Sequence, residues 1–132
     1  MKKLFLICLV LMISNMALAC GGIMVMGKSG KTYCLSKFTM NWYSAYAWCK
    51  DQGRELIELE PVCKAYSGKC LELMLSSDEI NNIKENGGIA DAVWTNTSTT
   101  ASNAHFVYLT LGDIMNHARN DNYYGHIFAL CY

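Results

Sequence analysis

Residues 42–49 read Trp-Tyr-Ser-Ala-Tyr-Ala-Trp-Cys and are the stretch that decides the fold. Trp42, Ala45, Tyr46 and Cys49 recur at steps of three, one and three residues, which places them on one face of an α-helix. The pattern therefore predicts a helix whose apolar face holds a cysteine that points into the core.

Both ends of this helix have recognisable signals. Thr39 or Asn41 can cap its first turn, and Gly53 stands where a left-handed residue ends a helix. Residues 55–59, which read Glu-Leu-Ile-Glu-Leu, alternate roughly between polar and apolar side chains and predict a short strand.

The segment before the helix is rich in glycine. Residues 23–26 are apolar, residues 27–30 begin and end with glycine, and residues 31–35 again suit a strand. A glycine-rich turn between two such runs is typical of a β-hairpin, so we expect a hairpin ahead of the first helix.

A second helix is predicted after residue 76. Ser76 can cap it, and Glu79 three residues later completes a capping box. Ile80 and Ile83 are expected to face the core, and the glycine pair at 87–88 ends the helix.

Three strands are predicted after this helix, at residues 92–95, 105–111 and 126–132. Residues 96–103 are rich in turn formers, and residues 116–125 are polar and resemble an exposed loop. Helices early in the chain and strands late in it indicate an α+β domain, with two helices packed on small, mostly antiparallel sheets.

Residues 1–19 have the pattern of a cleavable signal peptide. Two lysines precede an apolar run at residues 4–13, and Ala17-Leu18-Ala19 offers small residues at the cleavage point. The run is too short to span a bilayer, which takes about 20 residues. We expect a secreted, extracellular or periplasmic protein without a transmembrane segment, and a single domain at residues 20–132.

The charge of this domain narrows the choice of partners. Removal of Lys2 and Lys3 leaves nine of the eleven Lys and Arg residues against eleven Asp and Glu, with no cluster of either sign. Nucleic acids and anionic membranes attract clustered Lys and Arg, so no nucleic-acid partner is expected.

The cysteine content indicates disulfide bonds. An even number of cysteines in a small exported domain is typical of a disulfide framework, although spacing alone leaves 15 pairings open for six of them. No Cys-x-x-Cys pair is present, so a zinc site is not expected. Cys8 belongs to the predicted signal peptide, so six cysteines remain in residues 20–132: Cys20, Cys34, Cys49, Cys63, Cys70 and Cys131.

The predicted helices, strands and cysteines, taken in their order along the chain, resemble those of the C-type lectin-like domain over nearly all of residues 20–132. Residues 42–49 are similar to the family's first helix, in which an aromatic residue, a small residue and an inward cysteine follow one another. Residues 76–80 resemble its second helix, Val93-Trp94 its core tryptophan strand and residues 129–131 its closing strand. The resemblance implies the compact form of that fold, similar to the tip domains of some bacterial adhesins.

The resemblance also implies a disulfide pairing. In the family, the cysteine of the first helix bonds the cysteine of the closing strand, and an N-terminal cysteine bonds the one that precedes the first helix. If Cys20 is in a disulfide bond, its sulfur cannot carry a lipid. Cleavage of the signal peptide and release of the protein is therefore favoured over a lipid anchor at Cys20. The implied bonds are Cys20–Cys34, Cys49–Cys131 and, by what remains, Cys63–Cys70.

The chain departs from the family at the calcium and sugar site. It has no Glu-Pro-Asn or Gln-Pro-Asp triplet. Asn120-Asp121 stands near the place of the family's Trp-Asn-Asp, with Arg119 in the position of the tryptophan, but Asn and Asp are also common turn residues. We therefore expect binding without calcium and no resident metal or other cofactor; calcium-dependent binding of carbohydrate through residues 119–126 is the alternative.

The same late segment contains the candidate binding residues. Tyrosine supplies rigid apolar contact area, and asparagine supplies adaptable hydrogen bonds. The aromatic residues of the first helix are expected mostly in the core, with Tyr43 or Trp48 off its main face. The candidate ligand-binding residues are Asn120, Asp121, Asn122, Tyr123, Tyr124 and His126.

These observations predict a secreted or surface-exposed module that recognises a protein or a carbohydrate on another surface. A structural subunit of a pilus-like or adhesin-like assembly is a further alternative. The sequence has no nucleophile-bearing turn such as Gly-x-Ser-x-Gly, and its mature cysteines are expected in disulfides, so an enzyme is not expected.

Overall fold

The computed structural model describes residues 20–59, 69–121 and 125–132. The predicted signal peptide at residues 1–19 lies outside this part of the chain. The described residues form an α+β structure with two helices and one six-stranded mixed sheet. The α+β prediction is confirmed, but a single sheet replaces the several small sheets that were expected.

The sheet has the strand order β1-β2-β6-β3-β4-β5. Neighbouring strands are antiparallel except for β3 and β6, which run parallel. The strands are β1 (Ile23–Met26), β2 (Thr32–Thr39), β3 (Ala92–Ser98), β4 (Asn103–Tyr108), β5 (Ile114–Ala118) and β6 (Ile127–Cys131). The helices are α1 (Trp42–Asp51) and α2 (Ser77–Glu85), and a short 3-10 turn covers Leu71–Leu73.

The two helices cover opposite faces of the sheet. Successive side chains of a strand point to opposite faces, and the buried residues divide into two clusters accordingly. Trp94 and Cys131 pack with Cys49 of α1, whereas Val93 and Leu130 belong to the cluster that contains Ile83 of α2. The predicted inward cysteine of the first helix is confirmed.

Helix α1 begins and ends at predicted positions. The side-chain oxygen of Asn41, rather than Thr39, accepts a hydrogen bond of 2.9 Å from the N–H of Ser44. Gly53 has φ of 68°, the left-handed conformation that follows many helices. Ala45 and Cys49 are buried, but Tyr46 is 37% exposed, so the apolar face is narrower than its sequence spacing indicates.

Helix α2 has half of the predicted capping box. Ser76 Oγ accepts a hydrogen bond of 3.3 Å from the N–H of Glu79. The Glu79 carboxylate does not return to Ser76; its Oε2 accepts a hydrogen bond of 3.2 Å from the N–H of Met26. The glutamate therefore joins the helix to strand β1.

The predicted strand at residues 55–59 is wrong. Its pairing is limited to one bridge, Leu56 to Cys131, which backbone hydrogen bonds flank on both sides. Glu55 and Tyr132 exchange two of these bonds, and the N–H of Ile57 donates one of 3.1 Å to the carbonyl of Leu130. Leu56 and Ile57 are consecutive and both fully buried, and they belong to different hydrophobic clusters. The carbonyl of Ile57 accepts a hydrogen bond of 2.6 Å from the N–H of Asn96 in β3, so the segment contacts both β6 and β3 and its pairing with β6 stays short.

The predicted exposed loop at residues 116–125 is wrong in its first part. Asn116 and His117 belong to β5, which pairs only with β4 among the described strands. The side chain of Asn116 is exposed and that of His117 is half-buried, so this strand keeps polar residues in contact with solvent. The strand predicted at residues 105–111 ends earlier, at Tyr108, because Gly112 with φ of 69° turns the chain into β5.

Two of the three predicted disulfide bonds are present, Cys20–Cys34 and Cys49–Cys131. Cys34 and Cys131 are register partners on β2 and β6, so the two bonds lie side by side. Cys70 is fully buried and disulfide-bonded. Cys63 lies outside the described residues, so the pairing Cys63–Cys70 stays a prediction.

Disulfide bonds are typical of proteins that fold in an oxidising compartment, such as the extracellular space or the periplasm. Within the described residues, no helix combines the length and the apolar character needed to cross a membrane.

Candidate ligand-binding surface at the start of helix α1

Trp42 is the centre of a cluster of side chains at the first turn of α1. Its indole Nε1 donates a hydrogen bond of 2.9 Å to the carbonyl of Thr95, and its backbone N–H donates one of 3.0 Å to the carbonyl of Arg119. These two bonds fix the half-buried ring against β3 and against the turn that follows β5.

Two tyrosines of the same helix pack on this ring. The ring of Tyr46, one helical turn further on, stacks on Trp42 with centroids 5.4 Å apart and an angle of 24° between the planes. Tyr43 meets Trp42 edge to face at the same 5.4 Å. Tyr43 is 52% exposed, so solvent reaches a tyrosine whose position is set by its neighbours.

Arg119 lies against Trp42 from the other element. Its Cζ is 4.4 Å from the centroid of the indole, within the range of a cation–π interaction. Its Nε donates to the carbonyl of Asn103 at 3.3 Å, and its Nη2 donates to that of Thr100 at 3.2 Å. The guanidinium is therefore held in one orientation beside the aromatic rings.

Lys50 extends this row along α1. Its Nζ is 5.5 Å from the ring centroid of Tyr46, and it pairs with Glu55. The hydrogen bond to Glu55 raises the pKa of the Lys50 ammonium above its ordinary value, so this group is charged at neutral pH. The stacked pair Trp42–Tyr46 thus has a cation at each end, Arg119 beside Trp42 and Lys50 beside Tyr46.

The structure places two predicted binding residues next to this cluster. Asn120 and Asp121 are exposed and directly follow Arg119. The N–H of Asp121 donates to the carbonyl of Ala118 at 3.3 Å, and its Oδ2 is 3.0 Å from Nε2 of His117. We call Trp42, Tyr43, Tyr46, Arg119, Asn120 and Asp121 the aromatic surface.

Of the other predicted binding residues, the structure describes His126. His126 is exposed, and its Nδ1 is 2.6 Å from Oδ2 of Asp91. This contact joins the histidine to the residue that directly precedes β3. Asn122, Tyr123 and Tyr124 lie outside the described residues, so their predicted role stays a prediction.

The aromatic surface differs from the predicted patch because its main members come from α1. The sequence contained a partial signal, since either Tyr43 or Trp48 was expected off the main face of the helix. Nothing local indicates that Arg119 contacts Trp42, because 77 positions of sequence separate the two residues.

The described residues contain no group of three or more His, Cys, Asp or Glu side chains that could hold a metal ion. The expectation that binding needs no calcium therefore stays a prediction for solution experiments.

Comparison of the chain with known protein families and with curated protein sequences gives no match.

Proposed function

We propose that this chain is a secreted or surface-exposed binding module of the C-type lectin-like kind, and that its aromatic surface recognises carbohydrate without calcium. The observation on which the proposal rests is the pair of exposed tyrosines, Tyr43 and Tyr46, which Trp42 holds in fixed positions.

The chemistry of the surface supports a sugar as ligand. A sugar ring has an apolar face of C–H groups and a rim of hydroxyl groups. Tyr43 offers an exposed ring for the apolar face, and an ordered aromatic side chain loses little conformational entropy on binding. Asn120 and Asp121 offer acceptors and donors for the hydroxyl groups at the margin of the rings.

The calcium-dependent alternative lacks comparable support. A calcium ion takes six to eight oxygen ligands, several of them carboxylates. Asp121 is the only carboxylate within residues 119–121, and its Oδ2 is engaged with His117. The aromatic contacts on Trp42 need no ion.

A glycan array with neutral and acidic sugars, probed with and without a calcium chelator, tests the proposal. We expect specific binding that the chelator does not change. The Tyr43→Ala variant should bind the same glycan about tenfold more weakly, since loss of a central aromatic contact costs about 1–2 kcal/mol. Isothermal titration with the selected glycan measures this change.

Phe38→Ala is the matched control, because Phe38 is 76% exposed and lies outside the aromatic surface. Its affinity should equal that of the wild type. The proposal would be contradicted by an equal loss of affinity in both variants, by binding that the chelator abolishes, or by the absence of any specific glycan. If no glycan binds but a protein ligand does, and Tyr43→Ala weakens that binding, the proposed site would be right and the proposed ligand class wrong.

A further inference from the structure

A cleft of about 250 Å³ lies between the start of β1 and the second half of α2. It is smaller than the pockets of about 300–1,000 Å³ that hold drug-sized ligands, so a ligand of the size of one sugar ring suits it. The aromatic surface lies at α1, which covers the opposite face of the sheet, so the cleft is a separate site. The walls of the cleft are formed by Gly22, Ile23, Met24, Lys37, Asn82 and Asn86.

Lys37 reaches this cleft from a bulge in β2. The register of β2 against β6 shifts within residues 35–39, where three residues of β2 stand opposite Ala129 alone. The buried Ser36 holds the bulge, because its Oγ accepts a hydrogen bond of 2.9 Å from the N–H of Ala129 and donates one of 2.8 Å to the carbonyl of Phe38. Bulges re-aim side chains and are common beside functional sites, so Lys37 lines the cleft from a backbone that Ser36 fixes.

The outward backbone of β1 adds polar groups to the cleft. In an antiparallel pair, residues alternate between those that bond the neighbouring strand and those that face away from it. The N–H of Gly27 bonds the carbonyl of Lys31, so Met24 and Met26 face away from β2. The carbonyl of Met24 accordingly accepts a hydrogen bond of 3.4 Å from Asn82 Nδ2. The N–H of Met24 faces the same side, next to Asn82.

The two asparagines of α2 give the cleft one donor and one acceptor. A side-chain amide has two N–H donors and one oxygen acceptor. Asn86 Nδ2 donates to the carbonyl of Asn82 at 2.8 Å and to its Oδ1 at 3.0 Å, which uses both N–H groups of Asn86. Within the described part of the chain, Asn86 therefore retains its oxygen as an acceptor, and Asn82 retains the N–H that it does not give to Met24.

We propose that this cleft is a second binding site, and that its ligand is a small hydroxylated carboxylate such as a uronic acid. The carboxylate accepts hydrogen bonds from the Lys37 ammonium, the N–H of Met24 and the second N–H of Asn82, and bonds between charged groups are the strongest of their kind. A hydroxyl group of the ligand donates to Asn86 Oδ1. Asn86 also caps the carbonyl end of α2, whose partial negative charge disfavours the carboxylate there and so sets the direction of the ligand.

Titration of the isotope-labelled, disulfide-bonded protein with glucuronate or glucose, followed by NMR, tests the proposal. The two sugars differ only in the carboxylate that replaces a hydroxymethyl group. We expect glucuronate to shift the backbone amide of Met24 and the side-chain amides of Asn82 and Asn86, with a Kd of about 1–10 mM, as befits a small ligand with few contacts. Glucose should bind about tenfold more weakly, because it lacks the charged acceptor.

Lys37→Gln should weaken the binding of glucuronate about tenfold, because it removes the cation and keeps a polar side chain. Lys28→Gln is the matched control: it changes the net charge equally, and Lys28 is an exposed residue of the β1–β2 turn that does not line the cleft. Equal binding of glucose, an equal loss in Lys28→Gln, or no shift at about 100 mM glucuronate would overturn the proposal. Shifts confined to the amides of Trp42 and Tyr43 would also overturn it, because glucuronate would then occupy the aromatic surface instead.

Discussion

The carboxylate of Glu72 closes the turn between β1 and β2 from outside the hairpin. It accepts hydrogen bonds from the N–H of Ser29 at 2.9 Å, from Ser29 Oγ at 2.6 Å and from the Tyr33 hydroxyl at 3.0 Å. The carbonyl of Glu72 also accepts the N–H of Lys28 at 3.1 Å. One residue thus ties the hairpin to the 3-10 turn more than 30 positions further along the chain.

These contacts determine how Glu72 titrates. Burial alone would raise the pKa of its carboxyl, but the hydrogen bonds from Ser29 and Tyr33 outweigh burial and lower the pKa below the ordinary 4.5. Burial, followed by the hydrogen bond and charge of Glu72, raises the pKa of the Tyr33 hydroxyl well above its usual range. The carboxylate therefore stabilises the fold above the ordinary pKa, and this contribution disappears as the pH falls through the lowered one.

Glu72→Gln should lower the free energy of unfolding by about 1 kcal/mol at pH 7, because an amide offers one acceptor where the carboxylate offers two and the site is partly screened by solvent. Urea unfolding across a pH series measures the difference between variant and wild type. It should shrink as the pH falls from 4.5 through the lowered pKa, because the carboxyl of Glu72 in the folded wild type becomes protonated there. Glu85→Gln, at an exposed position of α2, is the control; an unchanged deficit in acid would refute the assignment.

At the scale of the element, α2 protects the sheet edge as well as the core. Glu79→Ala should expose the N–H of Met26 and cost about 1 kcal/mol of stability, the usual net value of a hydrogen bond. The specific readout is hydrogen exchange of the Met26 amide, which should become faster. Asp78→Ala is the matched control, since Asp78 is an acidic residue of the same first turn of α2 and is exposed. Equal acceleration in both variants would point to fraying of the helix instead.

Elements with local signals could be predicted from the sequence. The caps Asn41 and Ser76 and the stop at Gly53 act within a few residues of each helix, so α1 and α2 were found close to their observed bounds. Strand β5 was missed because its edge position is decided by β4, and its own polar residues resemble a loop. The contact of Arg119 with Trp42 was missed for the same reason: only the folded sheet brings them together.

At the scale of the whole molecule, the two adjacent disulfides differ chiefly in the length of chain that they close. Cys49–Cys131 spans 82 residues and Cys20–Cys34 spans 14. Both attach to neighbouring positions of β2 and β6 and belong to one layer of the core. Cys49 and Cys131 are both fully buried, whereas Cys20 is only partly buried beside the buried Cys34, so packing and loop length both favour the longer bond.

The double variant Cys49→Ala with Cys131→Ala should be less stable than the double variant Cys20→Ala with Cys34→Ala. The chain-entropy relation gives about 4.5 kcal/mol for the longer loop and about 3 kcal/mol for the shorter, a difference of about 1.5 kcal/mol. Chemical denaturation of both variants measures this difference. Equal losses would show that neither restriction of the unfolded chain nor burial of the cysteines determines the value of these bonds. Since Cys49 fixes α1 to β6, the longer bond also holds Trp42, Tyr43 and Tyr46 on the sheet, and its removal should weaken ligand binding more than removal of the shorter one.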